Sequence, residues 1–236
     1  MATLYLVATP IGNLDDITAR AAKVLSEVKV ILVEDRRVSR TLLARLGIAA
    51  IPESYHDFNK ERVTPGIIAR LKAGENMALI TDAGTPGIAD PGYNLVRAAI
   101  DQGVTVTPIP GPSALIAALS ASGLPTDRFS FENFLPPKSA ARRRVLESYA
   151  GERRTLIFYE TPHRIVRVLE DIDTVFGDIL VVIAREMTKI YEEFLRGSPK
   201  ELLAQFKSKP PRGEMVVLFN LRMRAGAEKE KPPADA

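Results

Sequence analysis

The 236-residue chain contains no cysteine and only two histidines, His56 and His163. Without thiols there is no disulfide framework, no cysteine nucleophile and no cysteine-ligated zinc. Two imidazoles are too few for a multi-histidine metal centre. Long apolar runs are missing as well. The longest, such as residues 179–184, fall far short of the ~20 needed to cross a bilayer. The opening Met-Ala-Thr-Leu-Tyr-Leu-Val lacks the basic region and apolar stretch of a signal peptide. A soluble, cytoplasmic protein is expected. Phosphate-binding glycine motifs are also lacking. No Gly-Lys pair occurs, which rules out a P-loop, and the loop after the first expected strand carries a single glycine, Gly12, where a dinucleotide fingerprint needs several.

What is present is ordinary globular material, 46% hydrophobic and 26% charged. Compact apolar segments at 4–8, 30–33, 77–81 and 104–109 read as buried strands. Between them, residues 17–28, 37–46, 67–71 and 93–100 carry helical spacing, with Asp15 or Asp16 as the expected cap of the first helix. Such alternation predicts an α/β fold with a mainly parallel sheet covered on both faces. The second half adds strands at 154–159, 179–184, 191–196 and 214–221, which predict a mixed sheet. Three prolines and a glycine between Pro108 and Pro112 mark a boundary. The expected organisation is two α/β domains, 1–113 and 114–222, followed by a disordered tail at 223–236.

Charge divides unevenly. Residues 1–113 hold 12 basic and 12 acidic groups; residues 114–236 hold 20 and 17. Between 136 and 167, eight basic residues face three acidic ones. This local excess, with Lys138, Arg142 and Arg143 at its start, is either a solvated helix face or a surface for phosphate backbone.

The most unusual stretch is 81–92, Thr-Asp-Ala-Gly-Thr-Pro-Gly-Ile-Ala-Asp-Pro-Gly. It follows a strand and precedes a helix, at the sheet edge where open α/β folds bind ligands. Its glycines allow close backbone approach, Asp82 can accept hydrogen bonds from a ligand, and Asp90 is expected to cap the next helix. The loops at 9–16 and 110–114 have the same placement, and together the three would line one crevice. The cluster 34–37, Glu-Asp-Arg-Arg, also ends a strand. Asp35 there is either a helix cap with arginine partners or part of a binding cleft.

Taken together, segments 4–18, 34–37, 56–59, 82–92, 110–113, 134–138 and 213–215 resemble the tetrapyrrole (corrin/porphyrin) methylase superfamily. Within it they are similar to the branch that methylates a ribose of small-subunit ribosomal RNA. The resemblance implies two α/β domains, a homodimer, and S-adenosylmethionine held in the cleft between the domains. Pro10, Asp82, Gly84, Thr85, Ser113, Ala114, Tyr159, Ala184 and Met215 would approach the donor. The substrate would be a cytidine of 16S rRNA in the 30S subunit, with no metal. Glu34 and Asp35 would assist the 2′-hydroxyl with Arg37 orienting, and Lys138, Arg142 and Arg143 would contact RNA. Methylation of a tetrapyrrole carbon and a non-enzymatic role in ribosome assembly are the alternatives. The chain departs from the usual pattern at Arg36, Thr81 and Asn133, where Thr or Ser, Ser, and Gly are common.

Overall fold

Four-residue runs such as Val30–Val33 are apolar at every position because both faces of their sheet are covered. The computed structural model describes residues 2–50 and 52–226. The chain divides after Ser113 into two compact units.

In the first unit, β1 (Thr3–Val7), β2 (Val30–Val33), β3 (Pro52–Ser54), β4 (Met77–Leu79) and β5 (Thr105–Ile109) form one sheet in the order β3-β2-β4-β1-β5. All its pairings are parallel. Alternate side chains separate two cores, as the pleat requires. Leu4, Leu32 and Leu79 pack with α3 (Lys60–Lys72) and α4 (Tyr93–Asp101). Val7, Ile31, Ala78 and Ile80 pack with α1 (Ala19–Glu27) and α2 (Arg36–Arg45). The short edge strand β3 has no counterpart among the expected strands. Asp15 and Asp16 do not cap α1. They lie in a single 3-10 turn, and the Thr18 hydroxyl accepts the Ala21 N–H at 3.1 Å instead.

The second unit is mixed. Strands β6 (Phe129–Phe134), β7 (Thr155–Glu160), β8 (Ile179–Arg185), β9 (Glu193–Gly197) and β10 (Met215–Arg224) run in the order β6-β7-β10-β8-β9. Only β6 and β7 pair in parallel among the described residues; β10 is antiparallel to both β7 and β8. Helices α6 (Ser139–Ser148), α7 (Ile165–Phe176) and α8 (Pro199–Ser208) close the core around Phe158, Val181, Val217 and Phe219, while α5 (Ala114–Ser122) lies against β7, β8 and β10. The expected tail begins too early. Met223 and Arg224 are strand residues, because a register shift after Phe219 brings Arg224 opposite Ile179. The remainder of that expectation, 227–236, lies outside the described residues. No helix among the described residues is long and apolar enough to cross a membrane.

Candidate active site

In the first unit the loops that follow β1, β4 and β5 are stitched together by backbone. Thr9 and Gly84 form an isolated antiparallel bridge, with Thr9 N–H to the Gly84 carbonyl at 2.8 Å and Gly84 N–H to the Thr9 carbonyl at 3.1 Å. The buried Thr9 hydroxyl donates to the Thr81 carbonyl at 3.1 Å. The Thr85 hydroxyl donates to the Pro112 carbonyl at 3.2 Å, which draws in the third loop. Asp82 reaches sideways, its Oδ1 accepting the Asp35 N–H at 3.1 Å. Pro10, Asp82, Gly84, Thr85 and the segment ending at Ser113 are thus gathered at the carboxyl edge of one parallel sheet, the usual ligand position in such folds.

Two glycines make this possible for different reasons. Gly84 has φ +85°, a conformation costly for other residues, and a Cβ there would stand 3.6 Å from the Ile11 side chain. Gly92 is required by proximity. Its Cβ would stand 3.0 Å from the Gly87 backbone, tighter than nearly all real contacts, so that backbone would have to give way.

Carboxylates crowd the same edge. Burial pushes the Glu34 carboxyl above its ordinary range, and the charges of Asp90, Asp82, Asp57 and Asp35 add to the effect. Asp82 is raised chiefly by burial, against the hydrogen bond from the Asp35 backbone. Asp90 is also raised by burial, with the Thr81 hydroxyl opposing. Asp90 does not cap α4, whose N-cap is Gly92 without a side-chain bond; its half-buried carboxyl belongs to this acidic edge. That role was hidden in the sequence because Asp before Pro ordinarily signals a cap. Thr9 lies in a loop expected to line the crevice, but its stitching role was hidden for a simpler reason: nothing local marks a threonine whose partners lie 72 and 75 residues away.

Asp35 is occupied differently. Its carboxylate caps α2, accepting the Arg37 N–H at 2.7 Å, and it receives both Nε and Nη2 of Arg37, the latter at 2.7 Å. These bonds hold it down to about 2. A carboxylate so stabilised is a poor proton acceptor, so Glu34 is the more basic of the adjacent pair.

In the second unit, Tyr159 on β7 and Ala184 on β8 both register with Val216 of β10, one from each side. Met215 is the next residue, so these three expected donor contacts share one end of the sheet. Tyr159 is set by aromatic packing, its ring centroid 4.7 Å from Phe131 and 6.0 Å from Phe134. Ala114 is the first residue of α5. Asn133 has φ +58° where β6 slips against β7, so asparagine fills a left-handed position that the related pattern gives to glycine.

The basic stretch needs correction. Arg142 is 2% exposed and cannot meet a phosphate from this position. Its Nη2 pairs with Asp171 at 2.6 Å, and Nη1 donates to the Pro136 and Pro137 carbonyls. Arg143 shares Asp171, Arg154 pairs with Glu152, and Arg164 with Glu160. The local charge count failed because Asp171 lies outside the window in sequence and inside it in space. Lys138 remains exposed at the start of α6.

A family model described as Tetrapyrrole (Corrin/Porphyrin) Methylases matches residues 3–203. Proteins named "Ribosomal RNA small subunit methyltransferase I" are close in sequence. The one from Synechocystis sp. is 47% identical over 235 residues, covering 99% of this chain and 82% of its own. That of Xylella fastidiosa is 51% identical, covering 92% and 80%, and that of Thermotoga maritima 44%, covering 93% and 99%. Among solved structures, uroporphyrin-III-C-methyltransferase from Thermus thermophilus has a TM-score of 0.64 at 21% identity, covering 94% of this chain and 96% of that one. A cobalt precorrin-4 methyltransferase has 0.69 at 19%, covering 92% and 94%. These two likenesses speak to fold. With a family model spanning most of the sequence and relatives near half identity along its length, the chain belongs to the tetrapyrrole (corrin/porphyrin) methylase family.

Proposed function

We propose that this chain methylates the 2′-oxygen of a cytidine ribose in small-subunit ribosomal RNA, using S-adenosylmethionine. The stitched loops at Thr9, Gly84 and Pro112, in a chain so similar to rRNA methyltransferases, carry this reading. The donor fits the chemistry of the edge. It is cationic, and the residues around Gly84 offer a close-approach backbone beside the carboxylates of Glu34, Asp82 and Asp90. Pro10, Asp82, Gly84, Thr85 and Ser113 are its candidate contacts in the first unit; Ala114, Tyr159, Ala184 and Met215 are the candidates in the second. When bound, the donor supplies an electrophilic methyl on a sulfonium.

The protein's own share is positioning and proton handling. A fixed approach of the ribose oxygen removes much of the entropic barrier. The hydroxyl is a weak nucleophile, and Glu34, made more basic than an ordinary carboxylate by burial and its acidic neighbours, is suited to accept its proton. Asp35 and Arg37 fix the turn that presents Glu34. A homodimer acting on the 30S subunit in the cytoplasm completes the reading. The test is incubation with labelled donor and either unmodified 30S subunits or a precorrin, followed by mapping of 2′-O-methyl groups on 16S rRNA. Label at one cytidine ribose is expected; label in the precorrin alone would overturn the proposal.

A further inference from the structure

A groove of about 610 Å³ opens in the first unit between α3 and the edge strand β3, outside the residues discussed above as donor contacts. Its floor is apolar, with half-buried Val63 and exposed Gly66 of α3 lying over the buried Leu32 and Ile67. Its rim is cationic. Arg62, Gly66 and Arg70 follow one another at four-residue intervals, hence down one face of α3, and Arg36 contributes from the start of α2. The one acid in the lining, Glu53, is neutralised by Arg70 Nη1 at 2.8 Å, and Arg70 Nε is held by Glu75 at 2.7 Å. Arg36 and Arg62 are exposed, and neither guanidinium has a hydrogen-bond or ion-pair partner among the described residues.

Two further features separate this groove from an ordinary charged surface. Gly66 stands inside a helix, where glycine is a poor former, yet no positive φ or crowding demands it: a Cβ there would meet nothing within 4 Å. Its bareness keeps the groove open. The groove also shares the turn between β2 and α2 with the candidate active site. Arg36 directly follows Glu34 and Asp35, and the Asp35 N–H is bonded to Asp82.

We infer that this groove holds a nucleotide of the RNA substrate beside the target, its phosphate between Arg36 and Arg62 and its base or sugar against Val63 and the bare backbone at Gly66. Paired guanidiniums over an apolar floor match the two halves of a nucleotide, and phosphate contacts fix register without reading sequence. The inference rests on the rRNA reading above. It also gives Arg36, which departs from the related pattern, a positive role.

The experiment uses the full chain and unmodified 30S subunits, with affinity measured across a salt series and donor affinity measured separately by calorimetry. The variants are Arg36→Ser with Arg62→Gln, Gly66→Leu to fill the groove, and Arg45→Gln as a control on a surface arginine paired with Asp15. Loss of both arginine contacts to this one phosphate is expected to flatten the log–log salt slope by about 0.7–0.9 and weaken subunit binding about tenfold or more, with donor affinity unchanged. Gly66→Leu is expected to weaken subunit binding and leave donor binding intact; should it not fold, the arginine pair, exposed and unpartnered, decides. If the wild type methylates 30S subunits and the double variant matches its affinity and slope, the groove inference is overturned while the rRNA reading stands. If the wild type neither binds nor methylates them, both fall.

Discussion

Glu34 and Asp35 are neighbours in sequence with opposite electrostatic surroundings, and that contrast governs the pH behaviour. Glu34, Asp82 and Asp90 are raised in the folded protein, so their contribution favours folding below their unfolded values and is lost as pH rises through the raised ones. Asp35 works the other way: its contribution is present above its ordinary 3.8 and lost as pH falls toward about 2. Asp90→Asn should therefore raise the melting temperature at pH 7 to 8 and flatten its fall with pH, while weakening donor binding. Glu34→Gln should slow methyl transfer by about 10²–10⁴-fold and abolish the acidic limb of the rate profile. Gly84→Val should weaken donor binding in a folded protein, because a β-branched side chain cannot easily hold φ +85°. Arg142→Ala should cost about 3 kcal/mol by chemical denaturation, since it strips a buried pair, whereas Lys138→Gln should leave stability unchanged. At this scale the sequence was legible where local chemistry sufficed, as with the glycines at 84–92. It was not where a partner arrives from far away: Asp171 onto Arg142, or Gly84 onto Thr9, has no local signature.

Helices and strands were legible wherever burial imposed a period. Residues 30–33 emerged unaided, because continuous apolarity speaks for itself. The elements that escaped are those with weak burial. β3 has three half-buried residues, and β6 is largely exposed, its Phe129 and Phe134 facing outward. Ser198 forms a full capping box with Glu201, so Ser198→Ala should cost about 1 kcal/mol of stability. Gly66→Ala should do the reverse and add roughly 1 kcal/mol, a thermal gain obtained without crowding any neighbour. At the β6 slip, Asn133→Gly should be tolerated and Asn133→Val should cost about 1–2 kcal/mol, read from melting curves, because valine resists the left-handed region.

For the molecule as a whole, the sequence conveyed two α/β portions and the punctuation near residue 110, since alternating apolar segments and a proline cluster are visible without coordinates. It did not convey strand order. That order places β10, last of the strands among the described residues, at the centre of the second sheet between β7 and β8. Until residues 215–224 emerge during synthesis, the sheet can exist only as two separate pairs, β6 with β7 and β8 with β9. The second unit must therefore wait for nearly the whole chain, whereas every strand of the first unit precedes residue 110. Ribosome-arrested chains of increasing length should gain protease resistance in two steps, the first unit early and the second only after β10 clears the exit tunnel. Met215 opens that strand, so a nascent chain would have the Thr9–Gly84 bridge in place long before this last candidate donor contact exists.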